Sequence, residues 1–169
     1  MSFPSKLLAL LLLATAQAAN AGDARAACDL VDPPTASQLL GAPIVKHTPN
    51  RQFQTINNLY ISDCLYWGPD RQLLRVTLVE YKSAADARKE FLAGNSASTV
   101  VGDDHSLSAE SGLGDQARWF RFISEKRAGF SITSGRRGIV IDIRSSDANI
   151  AANLRERTKR VLVSALVKL

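Results

Sequence analysis

The chain has 169 residues, which is enough for one domain with its own hydrophobic core and too few for two. Hydrophobic residues make up 46% of the chain and charged residues 22%, as in an ordinary globular protein, so disorder is not expected. The net charge of +5 is a mild basic excess that favours acidic partners only weakly. A dedicated nucleic-acid-binding domain is not expected from a charge of this size.

The N-terminus has the pattern of a cleavable secretory signal. Lys6 precedes the apolar run 7–14, and small residues follow in the pattern that signal peptidase accepts. The apolar run is much shorter than the ~20 residues that span a bilayer. We predict cleavage after Ala21, with Ala18 as the alternative. The expected organisation is a signal peptide of residues 1–21 and one exported domain of residues 22–169, periplasmic or secreted, with no transmembrane segment in its mature form.

Two cysteines, Cys28 and Cys64, are the only ones in the chain. Export places them in an oxidising compartment, where an even number of cysteines usually means pairing. A bridge between them would stabilise the domain by roughly 3–4 kcal/mol through its effect on the unfolded chain. The alternative is two free buried thiols. A lipid anchor on Cys28 is disfavoured because Arg25 stands where a lipidation signal requires an aliphatic residue.

The N-terminal third of the exported domain is predicted to be mostly irregular. A short helix is expected over residues 32–41, with Asp32 as its N-cap and Gly41 at its C-terminus. Residues 43–45 can begin a strand. The polar residues 47–58 are expected to form a long loop or an irregular hairpin.

A hairpin and a helix follow. The β-forming residues 60–67 and the alternating residues 73–81 flank a turn, which indicates an antiparallel pair of strands. Ser83 caps a helix that we expect to end at Gly94. Residues 95–112 are polar and rich in glycine and serine, and they predict a surface loop.

Three strands and a final helix complete the chain. Alternating residues predict strands at 117–123, 128–133 and 137–144, joined by short turns into an antiparallel meander, and a helix capped at residues 146–147 follows. The predicted fold class is α+β, an antiparallel sheet of five to six strands with helices packed on one face, in the order α-β-β-β-α-β-β-β-α. Four basic residues of the final helix are expected to face water: Arg155, Arg157, Lys159 and Arg160.

Five segments along the chain carry a family resemblance. They are Cys28-Asp29-Leu30-Val31, Leu39-Leu40-Gly41, Cys64-Leu65-Tyr66-Trp67, the helix Ser83-Ala84-Ala85-Asp86-Ala87-Arg88-Lys89-Glu90-Phe91, and Gly112-Leu113-Gly114-Asp115-Gln116-Ala117-Arg118-Trp119. Their order resembles a group of small exported bacterial domains of uncharacterised function, many of them lipoproteins, over most of residues 28–166. The resemblance implies an exported location and a disulfide between the two cysteines, and it implies no catalytic residues. This chain departs from the group by lacking a lipid-attachment site.

The residues that could carry chemistry form no recognised constellation. His105 follows Asp103 and Asp104, but adjacent loop residues seldom bind one metal ion, so no metal or cofactor is expected. Serines lie near His105, yet the Gly-x-Ser-x-Gly motif of many serine hydrolases is absent. An envelope hydrolase or metal-dependent enzyme that uses His105 with Asp103 and Asp104 is kept as an alternative hypothesis. A carrier of a small apolar ligand, bound between sheet and helices, is another.

Basic and aromatic residues of the meander supply the best candidate contact surface. Arginine beside aromatic residues is a composition that protein interfaces favour. The leading hypothesis is a non-enzymatic exported domain that binds another macromolecule, an acidic protein or polymer of the cell envelope, for example as an inhibitor or immunity protein. The candidate residues, predicted to cluster at one end of the meander, are Arg118, Trp119, Phe120, Arg121, Lys126, Arg127, Arg136 and Arg137.

Overall fold

The computed structural model describes residues 26–54, 59–97, 105–145 and 152–167. The predicted signal peptide and the predicted caps of the final helix lie outside these ranges. The helices are α1 (Ala27–Leu30), α2 (Pro33–Leu40), α3 (Ala84–Ala97) and α4 (Ala152–Leu166). The strands are β1 (Lys46–Gln54), β2 (Leu59–Trp67), β3 (Leu73–Glu80), β4 (His105–Glu110), β5 (Gln116–Phe122), β6 (Arg127–Ser134) and β7 (Arg137–Arg144).

The seven strands of the described ranges form one antiparallel sheet in the order β1-β2-β3-β7-β6-β5-β4. The α+β class and the antiparallel pairing are therefore confirmed. Strands β1–β3 form one hairpin unit and strands β4–β7 form a second. The two hairpin units meet where β3 pairs with β7, with Val76 directly opposite Ile141. These two strands are far apart in the chain, so no local sequence pattern predicts their pairing.

Strand β1 falls in residues 47–58, where the sequence predicts a long loop or an irregular hairpin, and its antiparallel pairing with β2 fits the hairpin alternative. Strand β4 falls in residues 95–112, so the prediction of a surface loop there is wrong in part, and the sheet has seven strands rather than the predicted five to six. These strands, β1 and β4, are the two edges of the sheet. An edge strand has a partner on one side only and keeps much of its length towards water, so its composition can stay polar. Pro49 fits β1 for the same reason, because an edge strand tolerates a missing backbone donor.

One face of the sheet packs against α1, α2 and α4 and forms the main core. The predicted inward alternation of β3 and β7 is confirmed, since Leu74, Val76 and Ile141 are fully buried. A disulfide joins Cys28 in α1 to Cys64 in β2, as the sequence predicts. The core residues of β6, Phe130 and Ile132, continue the same face.

The second face of the sheet carries α3, so the prediction that all helices lie on one face is wrong. The guanidinium carbon of Arg118 lies 5.1 Å from the centre of the Phe91 ring of α3. Gly138 leaves room for the Tyr81 ring, which a methyl group at this glycine would approach to 3.0 Å. A bulkier residue in place of Gly138 would displace the ring of Tyr81, a residue that comes shortly before α3 in the chain. Gly138 and Arg118 alternate along their strands with residues of the main core, so α3 covers the opposite face of the same sheet.

The basic residues of α4 are more engaged than the sequence predicts. Arg155 and Lys159 both form ion pairs with Glu110, whose side chain is 7% exposed. Arg157 donates a hydrogen bond from Nη2 to the carbonyl of Leu39, with a distance of 2.8 Å. The expectation that these three residues simply face water is therefore wrong, whereas Arg160 is exposed as expected.

The helix caps follow the sequence signals. Asp32 accepts a hydrogen bond from the amide of Thr35 at 2.9 Å, and Gly41 ends α2 in the left-handed conformation at φ 70°. Ser83 accepts from the amide of Asp86 at 3.1 Å, but α3 continues beyond Gly94. Within the described residues, no helix has the length and apolar character that a membrane crossing requires.

Candidate functional site

The candidate partner-binding residues are distributed over both faces of the meander. Trp119 lies on the face of the sheet that packs against α1, α2 and α4, where its ring packs edge-on against Phe130 with centroids 5.0 Å apart. It is 8% exposed and belongs to the core. Arg121 shares this side of β5, directly opposite the buried Ala128. Trp119 and Arg121 are therefore not on the surface that carries Phe120.

The prediction of one basic cluster at one end of the meander is wrong. Lys126 lies in the β5–β6 turn and Arg136 in the β6–β7 turn, at opposite ends of β6. The length of a strand of eight residues, about 25 Å, separates the two turns. Arg136 instead forms an ion pair with Glu80, Nη2 to Oε1 2.7 Å, and Arg137 stands directly opposite Glu80.

Arg118 lies on the same face as Phe120 but underneath α3. Burial lowers the pKa of its guanidinium below the ordinary value. Its contact with the Phe91 ring attaches α3 to the sheet. We therefore assign Arg118 to the packing of α3 rather than to an open surface.

Three aromatic and basic side chains do meet on the face opposite the main core: the half-buried Phe122 and Arg127, and Phe120, which is buried at 6% exposure and so offers little surface to a partner. The guanidinium carbon of Arg127 lies 5.6 Å from the ring centre of Phe120 and 5.4 Å from that of Phe122. The two ring centres are 5.7 Å apart. Gly129 lies opposite Phe120, and a methyl group there would approach the ring to 2.9 Å, so only glycine leaves room for it.

The register of the sheet extends this group into a row that crosses six strands. We call it the end row, and its members stand directly opposite one another in β1, β2, β3, β7, β6 and β5. Six strands span about 24 Å at the usual strand spacing. The end row consists of Lys46, Trp67, Leu73, Arg144, Arg127 and Phe122.

The end row combines three cations with three apolar side chains. The Lys46 ammonium lies 5.2 Å from the centre of the Trp67 ring, which repeats at β1 and β2 the contact that Arg127 makes at β5 and β6. Lys46 and Arg144 are exposed. Among the described helices, α3 is the one on this side of the sheet, and its described contact, that of Phe91 with Arg118, lies away from the end row. We call the surface formed by the end row and the exposed Arg75 the open face.

A buried carboxylate holds Arg75 in place beside the end row. Arg75 donates to Asp63 through Nε at 3.2 Å and Nη2 at 2.6 Å, and Thr77 donates to Asp63 at 2.6 Å. The Asp63 side chain is 8% exposed and that of Arg75 is 50% exposed. The hydrogen bonds to Asp63 raise the pKa of Arg75 above its ordinary value, so Arg75 presents a permanent charge to solvent.

A second buried carboxylate holds Arg127. The Nε atom of Arg127 donates to Asp142 at 2.8 Å, and its Nη1 atom lies 3.4 Å from Glu125. The Asp142 side chain is 7% exposed. Arg75 is directly opposite Asp142, so the two pairs lie side by side on neighbouring strands.

The electrostatic result is an asymmetric surface. The carboxylates of Asp63 and Asp142 lie in the floor, while the cations of Arg75 and Arg144 extend towards water. A fixed guanidinium can bind an incoming carboxylate with two parallel hydrogen bonds. The open face can therefore recognise acidic groups and cover them with aromatic surface.

Six members of this surface are absent from the sequence-based candidates: Lys46, Trp67, Leu73, Arg75, Phe122 and Arg144. The first four of these belong to β1, β2 and β3, strands that the sequence alone does not place next to the meander. Trp67 and Arg75 alternate with core residues in their strands, so the period of two indicates their face once the strands are known. The pairing of β3 with β7 is the feature that could not be predicted from the sequence.

The residues of the metal or hydrolase alternative are not assembled in the described part of the chain. His105 is the first residue of β4, and Asp103 and Asp104 lie outside the described residues. No group of three metal-ligating side chains occurs among the residues described. Under α3, Thr133 and Tyr81 line a cavity of about 90 Å³, a size that suits a few water molecules.

Comparison with known proteins adds a fold relationship. No protein-family profile matches the chain, and no curated protein sequence matches it significantly. A solved structure that resembles it is the extracellular domain of PknH from Mycobacterium tuberculosis, with a TM-score of 0.56 and 7% sequence identity. The match covers 83% of this chain and 94% of that one. At this identity the likeness shows a shared fold.

Proposed function

We propose that this chain is an exported, disulfide-bonded binding module whose open face binds an acidic surface of a partner protein. The observation that carries the proposal is the row of cations and aromatic rings across six strands, with the neutralising carboxylates buried beneath it. Inhibition of an envelope enzyme is one role that such a module would serve.

Preorganisation supports binding rather than mere solubility. Arg75 and Arg127 are each held by a buried aspartate, so they lose little side-chain freedom when a partner arrives. Ordinary surface arginines would have to be ordered at a cost of about 0.5–1.5 kcal/mol each. Arg127 also lies over two aromatic rings, which is a composition enriched where interfaces derive most of their energy.

The shape of the open face favours a protein partner over a flexible polymer. Trp67, Leu73 and Phe122 are half-buried members of the end row and offer apolar area beside the charges. A protein surface buries such area, whereas a polyanion would mainly contact the exposed cations. We therefore commit to a protein, and a polymer becomes one outcome of the test.

Export is supported by three independent observations. The sequence begins with a predicted secretory signal, a disulfide joins Cys28 to Cys64, and the fold is shared with a domain described as extracellular. The module is therefore proposed to meet its partner outside the cytoplasm.

The test uses site-specific photocrosslinking in cells that export the full chain. A photoreactive residue at Leu73, within the end row, should capture a defined protein, and the same residue at Val163 on α4 should not. The variant Lys46→Glu/Arg144→Glu should lose the Leu73 product. The captured protein, once purified, should bind the wild-type domain more weakly as salt increases, because exposed charges are screened.

The matched control is Arg88→Glu/Lys89→Glu, which makes the same change in net charge on exposed residues of α3. It should keep the Leu73 product. Equal capture at Leu73 and Val163, or equal loss in both charge variants, would overturn the proposal. Binding of polyglutamate as strong as that of any captured protein would replace the protein partner with an acidic polymer.

A further inference from the structure

A groove lies between the helices on the face opposite the open face. Its lining residues come from α1, α2 and α4, and its volume is about 550 Å³, within the range of small-molecule sites. Residues 157, 161 and 165 of α4 fall on one side of the helix, so the groove extends about 12 Å along it. Thr35 and Gln38 of α2 form the other wall.

One end of this groove is cationic. Arg157 is fixed there by its hydrogen bond to Leu39 and by its position over Gly41, where a methyl group would come within 3.2 Å of the guanidinium. Arg160 lies one turn further along α4 and is exposed. Burial and the charge of Arg160 both lower the pKa of Arg157, so a bound anion would relieve a repulsion that the protein contains. Among the residues that the structure describes, no acidic side chain lines the groove.

The other end of the groove is apolar. Leu30 and Ala165 are 2% and 5% exposed and form the floor, and the half-buried Val161 lies between them and the arginines. The chain direction explains this polarity, because α2 and α4 are antiparallel. The C-terminus of α2 meets Arg157, and Leu30, which precedes α2, meets Ala165.

We propose that this groove binds a single-chain anionic amphiphile, a medium-chain fatty acid, with its carboxylate at Arg160 and Arg157 and its alkyl chain over Val161, Leu30 and Ala165. The carboxylate matches the planar donors of a guanidinium. The alkyl chain matches the apolar floor. The proposal concerns a different face from the partner-binding one, and either can hold without the other.

The first measurement is calorimetric titration of the disulfide-bonded domain, residues 22–169, with dodecanoate below its micellar concentration. One molecule should bind per domain. Dodecanol, which has the same chain without the charge, should bind at least about ten-fold more weakly, the typical loss of a charge-assisted contact. Octanoate should also bind more weakly, because each buried methylene contributes up to a factor of about 4 in affinity.

Two matched pairs of variants locate the site. Ser164→Trp should fill the groove and abolish dodecanoate binding, whereas Val163→Trp, at the next residue outside the groove, should leave the affinity unchanged. Arg160→Ala should weaken binding about ten-fold, whereas Arg88→Ala on α3 should not. All four positions are exposed, so the fold should survive each change.

Non-saturable uptake of dodecanoate, or equal affinity for dodecanoate and dodecanol, would overturn the proposal. Saturable binding that persists in Ser164→Trp would also overturn it, because the ligand would then occupy another site. These outcomes are independent of crosslinking at Leu73.

Discussion

Tyr66 shows how one side chain joins two parts of the fold. Its ring is buried in β2, and its hydroxyl donates a hydrogen bond to the carbonyl of Val31, at the junction of α1 and α2. Tyr66 therefore anchors to β2 the N-terminal segment that also carries Cys28. Burial, and secondarily the charges of Asp32 and Asp29, raises the pKa of Tyr66 to about 12.

The raised pKa makes stability sensitive to alkaline pH. A phenol whose pKa is higher in the folded state than its usual 10 contributes stability that is complete below pH 10 and lost as pH rises through 12. We expect Tyr66→Phe to lower the free energy of unfolding by about 1–2 kcal/mol at neutral pH, because the Val31 carbonyl loses its donor. The difference from wild type should narrow above pH 10.

Urea unfolding at several pH values measures this change, and Tyr60→Phe serves as the control. Tyr60 is half-buried at the start of the same strand, and its variant removes a hydroxyl while the hydrogen bond from Tyr66 to Val31 stays in place. A Tyr66→Phe variant with the wild-type profile would contradict the assignment of the alkaline loss to Tyr66.

Secondary-structure elements in this fold depend on their position in the sheet as much as on their composition. The central strands β3, β7 and β6 contribute buried alternating residues, and their pattern is visible in the sequence. The edge strands β1 and β4 are polar and depend on pairing with β2 and β5. Gly129 in β6 leaves no room for a side chain beside β7, since a methyl group there would lie 1.8 Å from the carbonyl oxygen of Ile141.

We expect Gly129→Ala to prevent β6 and β7 from pairing in their present geometry. Since the obstructing atom is backbone, relaxation must move a strand, and the expected cost is more than about 3 kcal/mol. Gly135→Ala is the matched control. The φ of 56° at this position is strained for alanine, but nothing lies within 4 Å of the added methyl group. It should cost about 1–2 kcal/mol.

Urea unfolding of the two glycine variants distinguishes obstruction from strain. A Gly129→Ala variant no less stable than Gly135→Ala would show that the strands accommodate the methyl group, and would contradict the tight approach.

The whole molecule is a sheet with two unlike surfaces. One side carries the core, the disulfide and the groove between α2 and α4, and the other carries α3 and the open face. The chain reaches this arrangement by joining two hairpin units at β3 and β7. The disulfide fixes the N-terminal segment to β2, in the first of these units.

Removal of the disulfide should weaken the whole domain rather than one segment. We expect Cys28→Ala/Cys64→Ala to lower the free energy of unfolding by about 3–4 kcal/mol, since the unfolded chain loses a loop constraint. Cys64 is fully buried, so part of the loss will come from packing. Thermal and urea unfolding of the oxidised wild type and the variant measure the difference.

Reduction of the wild-type disulfide is the control, because it keeps both sulfur atoms and removes only the bond. A reduced protein as stable as the oxidised one would show that the constraint contributes nothing. If the free energy of unfolding falls in the alanine variant but not in the reduced wild type, the loss comes from packing.

The sequence by itself determined the features that depend on neighbours in the chain. The caps Asp32, Gly41 and Ser83, the hairpin β2–β3 and the inward residues of β6 and β7 follow from local geometry and a period of two. The pairing of two cysteines in an exported chain followed from chemistry rather than from position.

Only the tertiary structure decided that the first three strands join the meander through β3 and β7, and which face each helix covers. Arg127 was recognisable as a candidate, but Lys46 and Arg75 joined it because β7 pairs with β3. Sequence periodicity gives the face of a strand relative to its own core residues and carries no information on its neighbours. The polar edge strands and the placement of α3 stayed hidden for the same reason, since long-range pairing and packing stabilise them.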